Sequence, residues 1–327
     1  MHVSMPLMKK AAHNPNRSVY DIPVPWVFYK TLSLRFFRSD AIRCIASIFY
    51  NFFFRQYRAA LLPGRVPVSK VDHPLDSKIP FVPSWINIYL DFVAFWIRMI
   101  GFLLRRYGRR AYGEVRDFII SMGRLYAFAA ESYTKNFSTT DRPFYIARPR
   151  FLFIHLVDPH LMCIPSLHVM VVILTWKKFA AILGRLNEAG NCAAQTEEMK
   201  QGALAISQAV LYVKQHSVNC ISAALYAMTC FDGALFPPEE AEEFAGLLFG
   251  PLPVPPEKYC TRKNRPANYS VRPCAAPRTR LPAGDIAEIK THVISLYRNF
   301  IAEGKSAAAA GQNWEEPLLR FMRQAVC

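Results

Sequence analysis

Three short segments of the chain carry side chains that can hold a phosphoryl group and transfer it. The first is KNFSTTDRP (135–143), the second is IPSLHV (164–169) and the third is VKQHSVNC (213–220). Together they supply fixed cations, a small hydroxyl and two imidazoles. Cleaving a phosphomonoester through a covalent intermediate requires cations on the phosphate oxygens, an in-line nucleophile and an acid that protonates the leaving group. The segments therefore predict a site for phosphoryl chemistry.

Each side chain suits one of these tasks. Arg142 offers a planar fork to two phosphate oxygens, and Lys135 offers a point charge. Ser166 is predicted to open a helix, where its hydroxyl and the unpaired N–H groups form an anion site. His168 would lie in the first turn of that helix, and His216, on another helix, would be the nucleophile. We therefore expect the five side chains to converge on one anion.

The order and spacing of these residues resemble the superfamily of type 2 phosphatidic acid phosphatases and vanadium haloperoxidases. Its signatures are Lys-x6-Arg-Pro, Pro-Ser-x-His and a last motif that ends in His-x3-Asp. The first two match here at every key position, except that Leu167 replaces the commoner glycine. In that resemblance PSLH looks like the variant of lipid phosphotransferase branches. The resemblance covers 135–225, and it implies a bundle of helices.

The resemblance also implies a role for each residue. Lys135, Arg142 and Ser166 would bind the phosphate of the substrate. His168 would be the general acid, and His216 would form the phosphohistidine. This chemistry needs no cofactor and no metal. The cysteines agree with that expectation, because they form no CxxC pair and have no spacing suited to zinc.

The third segment departs from the pattern at two positions. Val210 stands where an arginine is expected, six residues before His216, and Lys214 is a possible replacement. Cys220 stands where the aspartate is expected. On a helix this position would face the histidine, and a thiol with a pKa near 8.5 is mostly neutral. Asn219 can orient the ring without supplying charge. Carboxylates that can substitute from the loops are Asp141 and Asp158.

Composition indicates the kind of partner. Apolar residues make up 52% of the 327 residues, and the net charge is +16, which favours anionic partners. We expect a phosphorylated lipid or small phosphomonoester and a membrane surface, but no nucleic acid, because no nucleic-acid-binding module accompanies the charge. The oligomeric state stays open.

Localisation is predicted from the apolar segments. The N-terminal residues lack the apolar stretch of a secretory signal. Segment 85–104 is long enough to cross a bilayer, but it carries Asp91 and Arg98. We therefore expect membrane association, integral or peripheral, on the cytoplasmic side.

Helical periodicity and the scarcity of alternating apolar and polar residues predict an all-α fold. The expected helices are 84–106, 113–134, 166–183, 284–302 and 312–325, with one or two amphipathic helices in 24–62 and a long apolar segment at 202–231. Residues 135–165 are expected to be loop-rich. The predicted organisation is a flexible tail (1–23), a helical phosphatase-like domain (24–250), a basic Pro-rich loop (251–284) and C-terminal helices (285–327) that pack on the same domain.

The first functional hypothesis is a phosphatase that acts on a lipid phosphate or similar phosphomonoester through a phosphohistidine. One alternative is a phosphotransferase that moves a phospho-headgroup to a lipid alcohol. Another is a degenerate family member that binds anionic lipid without turnover, and the departures at Val210 and Cys220 favour it. His155 and His160, upstream of the second segment, are interpreted as loop histidines.

Overall fold

The computed structural model describes residues 17–250 and 281–325, and within them the chain is almost entirely helical. The all-α prediction is confirmed at the level of secondary structure. The α-helices are α1 (Val24–Ser33), α2 (Arg35–Ile48), α3 (Arg55–Leu61), α4 (Ile86–Leu90), α5 (Phe92–Tyr107), α6 (Tyr112–Tyr133), α7 (Pro149–Val157), α8 (Leu167–Arg185), α9 (Ala193–Tyr212), α10 (Val218–Phe231), α11 (Pro238–Leu247), α12 (Ala283–Ala309) and α13 (Glu316–Gln324).

Helix α8 lies at the centre of the fold. Its residues 167–176 are all buried, and a helix segment that is buried on every side is stable only when neighbours cover each face. Helices α5, α6, α9 and α10 supply that cover, and α12 packs on the outer side of α10. The N-terminal ends of α8 and α10 both belong to this buried centre, and the second and third sequence segments lie at those ends.

Helices α2 and α3 are joined by a π-helical turn, Phe49–Phe54, and α2 packs along α6. Close approach of α2 and α6 depends on Gly123, because an added methyl would lie 3.3 Å from the Cα of Cys44. The Ser47 hydroxyl donates to the Gly123 carbonyl at 2.7 Å. Short π-helical insertions often occur at functional sites.

A small parallel sheet fixes part of the segment that was expected to be loop-rich. Strands β1 (Val68–Lys70) and β2 (Phe137–Thr139) pair in parallel, and Ser138 also bridges to Met162. The Ile164 amide donates to the Ser138 hydroxyl at 2.7 Å. The start of α8 is thereby held by the strand that follows Lys135.

Two of the expected helices are interrupted. The expected helix at 84–106 divides at Asp91, which forms a buried ion pair with Arg98 at 2.7 Å. The apolar segment 202–231 divides into α9 and α10 around a turn in which Lys214 has a φ of 55°. His216 therefore lies in a turn, and its predicted place on a helix is wrong.

Part of the expected N-terminal tail is packed against the protein. Val19 and Ile22 are buried, and the Val19 amide donates to Glu198 at 2.9 Å. The predicted Pro-rich loop lies outside the described residues except for 281–284. Within residues 17–250 and 281–325, two helical stretches are long and apolar enough to cross a membrane, Pro83–Tyr133 and Leu167–Arg185, but 67% and 72% of their most apolar windows are buried inside the protein.

Candidate functional site

The two histidines of the second and third segments lie against each other. The ring centroids of His168 and His216 are 5.5 Å apart at an interplanar angle of 66°. His168 is in the first turn of α8, and it packs between Tyr89 and Phe92 with centroid distances of 4.5 and 4.1 Å. His216 is held by the turn before α10, where its amide donates to the Val210 carbonyl at 3.2 Å.

Two helix N-termini meet at this pair of rings. Ser166 is the N-cap residue of α8, and its hydroxyl lies 3.3 Å from Nε2 of His216. It makes no capping bond, so this hydroxyl is directed to the histidine. Helix α10 begins directly after Ser217, whose hydroxyl accepts from the Asn219 amide. The N-terminus of α10 is already occupied, because the Val218 amide donates to the Asp76 carboxylate at 2.9 Å. The N-terminus of α8 has no side-chain cap, so its N–H groups and its macrodipole favour an anion there.

Both histidines line one small cavity, together with a third imidazole. The other lining residues are Phe52, Gln56, Asp158, His160, Met162, Cys163 and Leu167. The cavity volume is about 10 Å³, which is room for about one water molecule. A phosphate group can therefore enter only if the lining side chains move apart.

His160 lies in a loop, as predicted, but its place in the cavity lining was not predicted. Its Nε2 lies 2.9 Å from the Thr140 hydroxyl, and its amide donates to the Asp158 carboxylate at 2.9 Å. Its φ is 61°, a left-handed conformation that is uncommon for residues other than glycine. The one sequence signal was its position shortly before the second segment. The fold that brings it inward depends on the bridge to β2, which had not been predicted.

Burial dominates the electrostatics of the three imidazoles. It lowers the pKa of His216 to about 4 and that of His160 to about 3. The pKa of His168 is also far below its usual value, first because of burial and then because of His216. Removing a cation from water is costly, so all three rings are neutral at pH 7. A neutral imidazole has the free electron pair that a nucleophile needs.

Two buried polar atoms at the cavity have only poorly aligned partners, since Gln56 lies near the Asp158 carboxylate and His216 near the Cys163 backbone. His216 Nδ1 and Gln56 Nε2 make no hydrogen bond of acceptable geometry within the described residues. Buried polar groups are normally satisfied, and leaving one unpaired costs about 1–3 kcal/mol. Together with the N-terminus of α8, these atoms make the cavity suitable for a polar ligand.

Arg142 lies beside the cavity. Its guanidinium donates to the Asp158 carbonyl at 3.0 Å and to the Gln215 side chain at 3.4 Å. It is close enough to lower the pKa of His160 and of His155 as a secondary cause after burial. Arg142 can thus add positive charge to the cavity edge, although its present partners are protein oxygens.

The structure does not bring Lys135 to the histidines. Its ammonium group is half-exposed and pairs with Glu315, a carboxylate that is 2% exposed. Neighbouring Asn136 is directed toward Met322 of α13 and Ser69 of β1. Lys135 therefore holds the C-terminal segment that carries α13, and a phosphate-binding role would require it to leave Glu315.

The residues considered as replacements in the third segment face away from the cavity lining. Lys214 donates to the Asp76 carbonyl. Asn219 donates to the Val71 carbonyl at 3.1 Å and lies 2.8 Å from His292 Nε2. Cys220 is fully buried, and burial strongly raises the pKa of its thiol.

The two loop carboxylates have different places. Asp158 lines the cavity, and burial is the main cause that raises its pKa. Asp141 pairs with Lys70 at 2.6 Å and is exposed. Asp158 is thus the carboxylate that can act on the imidazoles. Within the described ranges, no group of three or more His, Cys, Asp or Glu side chains could hold a metal ion.

Comparisons with protein-family models, with curated proteins and with solved structures find no match to this chain. The chemical interpretation therefore depends on the geometry of the cavity. Two neutral imidazoles and a hydroxyl converge at the N-terminus of α8, with an arginine at the edge. Such an arrangement can bind a tetrahedral oxyanion and offers both a nucleophile and a proton carrier.

Proposed function

We propose that the cavity binds a phosphomonoester and that His216 hydrolyses it through a phosphohistidine. The observation that carries this proposal is the 5.5 Å separation of the His168 and His216 rings, with the Ser166 hydroxyl 3.3 Å from Nε2 of His216. The resemblance of the first two sequence segments to the type 2 phosphatidic acid phosphatase signatures agrees with this chemistry.

The proposed reaction has two steps. Nε2 of His216 attacks phosphorus, the N–P bond forms, and the bond from phosphorus to the leaving oxygen breaks. A protonated His168 gives its proton to that oxygen. Water then attacks phosphorus while His168 accepts a proton, and the N–P bond breaks to release inorganic phosphate.

His168 must be protonated for the first step, although burial keeps it neutral in the unliganded cavity. A bound phosphate resolves this difficulty, because an adjacent anion raises the pKa of an imidazole. The substrate would therefore bring about the protonation of its own general acid. Ser166 and the N–H groups of α8 would hold the phosphate oxygens, with Arg142 as the nearby cation.

A phosphotransferase would use the same first step. An acceptor alcohol would then replace water as the attacking group in the second step. Whether the protein is a phosphatase or a phosphotransferase depends on which molecule attacks the phosphohistidine. Product analysis with and without an added alcohol therefore distinguishes the two.

Anion binding without turnover is a second candidate, and specific observations favour it. Lys135 is paired with Glu315, and the residue at the position of the expected aspartate is a buried neutral thiol. Losing the analogous carboxylate of a Ser-His-Asp triad costs roughly 10⁴ in rate. Under this candidate the cavity would hold a phosphate and release it unchanged.

We also propose that the substrate is a lipid phosphate or a related ester presented at a membrane on the cytoplasmic side. The support is the basic charge of the chain and the apolar side chains that remain exposed near the cavity. Membrane spanning is not needed for this, since both long apolar stretches are mostly buried.

The test is hydrolysis of para-nitrophenyl phosphate and of short-chain phosphatidic acid by the full chain, the His216→Gln variant and a control. We expect His216→Gln to reduce kcat/KM by about 10³-fold or more, as removal of a nucleophile does. The control is His292→Gln, which removes a partly buried histidine whose partner is Asn219 outside the cavity lining.

A second measurement separates turnover from binding. Rapid acid-free quenching with labelled substrate should trap a phosphorylated protein whose label is stable in base, labile in acid and absent from His216→Gln. Full activity in His216→Gln would refute the mechanism. An inactive full chain that still binds inorganic phosphate, with binding lost in the same variant, would select the second candidate.

A further inference from the structure

An unusual number of large apolar side chains are exposed on two neighbouring parts of the fold. One part is α1 to α3 with the π-helical turn, and the other is 144–157, which includes α7. Together they define what we call the apolar face, whose exposed members are Phe28, Tyr29, Phe36, Ile42, Ile45, Phe49, Tyr50, Phe54, Tyr57, Leu61, Leu62, Phe144, Ile146, Leu152, Phe153 and Leu156. Phe144 is 83% exposed and Leu61 is 77% exposed. Patches of this kind mark interaction sites rather than ordinary surface.

The charge on the apolar face has one sign. Segment 24–62 contains six Lys or Arg residues and one acidic residue, Asp40. That carboxylate is buried and paired with Arg116 at 2.6 Å, so it presents no negative charge. Segment 144–157 has no acidic residue, while Arg148 and Arg150 are exposed. Exposed arginines among exposed aromatic rings are complementary to an anionic lipid surface.

The two parts of the apolar face meet at the candidate site. The Tyr57 hydroxyl donates to the Val157 carbonyl at 2.6 Å, which joins α3 to the end of α7. Phe52 and Gln56 of the first part line the cavity, as does Asp158, which directly follows α7. The apolar face and the cavity are therefore continuous.

We propose that the apolar face docks on an anionic lipid bilayer and lies in its interface, with the cavity turned toward the lipid headgroups. Segment 35–61 is nearly all helical, and 27 residues of helix extend about 40 Å. Lying flat, such a segment places its aromatic rings at the boundary between headgroups and acyl chains, while its arginines contact lipid phosphates. The docking depends only on this surface, whereas its use for catalysis rests on the proposed function.

Docking also provides a reason for the small volume of the cavity. Phe52 and Gln56 line the cavity, and they belong to the segment that would be inserted. A bilayer surface gives Phe52 an alternative apolar environment. Docking would thereby lower the cost of opening the cavity to a headgroup phosphate.

The experiment is co-sedimentation of the full chain with vesicles of phosphatidylcholine, alone or mixed with phosphatidylglycerol. Phe54→Ser combined with Phe153→Ser changes both parts of the apolar face, and Arg35→Gln combined with Arg58→Gln removes two exposed cations. The matched controls are Leu247→Ser on α11 and Lys305→Gln on α12, which change exposed residues elsewhere.

We expect binding to the mixed vesicles that weakens with added salt. The two arginine changes should lower the partition coefficient about 20- to 30-fold, since each cation near an anionic surface contributes roughly fivefold. The two Phe→Ser changes should lower it about tenfold or more, because each ring would otherwise bury apolar area. Both controls should bind like the unmodified chain.

The outcomes separate docking from catalysis. If the unmodified chain does not bind mixed vesicles, or if the surface variants bind as tightly as it does, the docking proposal is overturned whatever the activity. Concentration-dependent dimerisation that the surface variants abolish, without vesicle binding, would overturn it in favour of a second copy of the chain. Hydrolysis of para-nitrophenyl phosphate should persist in the surface variants; a chain that docks but lacks activity would refute the proposed function alone.

Discussion

Acidification should destabilise the protein through its buried imidazoles, and His216 gives the clearest measurement. A histidine in the unfolded chain has a pKa near 6.5, whereas burial lowers that of native His216 to about 4. Below pH 6.5 the unfolded chain therefore binds a proton that the native protein does not. The free energy of unfolding falls as the pH falls from 6.5 toward 4, and below 4 this loss is complete.

The magnitude follows from the two pKa values. At pH 5 the unfolded histidine is almost fully protonated and native His216 is almost fully neutral. This difference lowers the free energy of unfolding by about 2 kcal/mol relative to pH 7.5. Asp91 acts in the opposite direction, because burial raises its pKa to about 6 and native protonation then favours the fold in acid. A comparison of two variants cancels this contribution, since it is common to both.

The assay is urea unfolding, followed by circular dichroism, of the unmodified chain and of His216→Gln near pH 7.5 and pH 5. The variant should lose about 2 kcal/mol less stability on acidification than the unmodified chain. Met162→Leu is the control, because it changes a cavity residue that does not titrate, and it should follow the unmodified chain. An equal loss in His216→Gln and the unmodified chain would refute the assignment of a buried neutral ring.

Three further predictions concern other parts of the fold. Arg98→Met leaves the buried Asp91 carboxylate without its partner and should lower the free energy of urea unfolding by about 3–5 kcal/mol. Gly202→Ala places a methyl 2.6 Å from the Phe95 ring, so it should cost about 1–3 kcal/mol in the same assay. Cys220→Asp buries a carboxylate at a fully buried position, so it should lower the thermal midpoint and leave the hydrolysis of para-nitrophenyl phosphate without an increase.

Local sequence signals predicted most of the helices because those signals act over a few residues. Apolar periodicity located both ends of α6 and of α8 to within two residues. It also predicted α12 and α13, but α12 continues to Ala309 and α13 begins only at Glu316, so each differs from its expected bounds at one end. The division of 202–231 was missed because the turn before α10 has no glycine or proline. It depends instead on Lys214 adopting a left-handed conformation and on backbone bonds to Val210. Tertiary packing fixed that turn, and with it the position of His216.

The convergence of the second and third segments could be anticipated from residue types, but the position of Lys135 could not. Its partner Glu315 is 180 residues away and belongs to the segment that leads into α13. His160 was missed for a similar reason, because a bridge between Ser138 and Met162 turns its segment inward. Both positions depend on long-range contacts, which leave no periodic signal in the sequence.

As the pH falls, the unliganded fold should become less stable, whereas anion binding at this cavity should become tighter. Burial lowers the pKa of His168 and of His216, so both rings are neutral without a ligand. The negative charge of a bound dianion would raise the pKa of both rings, so they would take up protons when it binds. Binding and proton uptake are then linked, so affinity must rise as the pH falls, while the unliganded fold weakens over the same range. Sulfate is the suitable ligand because it remains a dianion, and calorimetry in buffers of different ionisation enthalpy counts the protons. An affinity for sulfate that does not change with pH would mean that the anion lies away from the imidazoles, at Arg142 or on the surface.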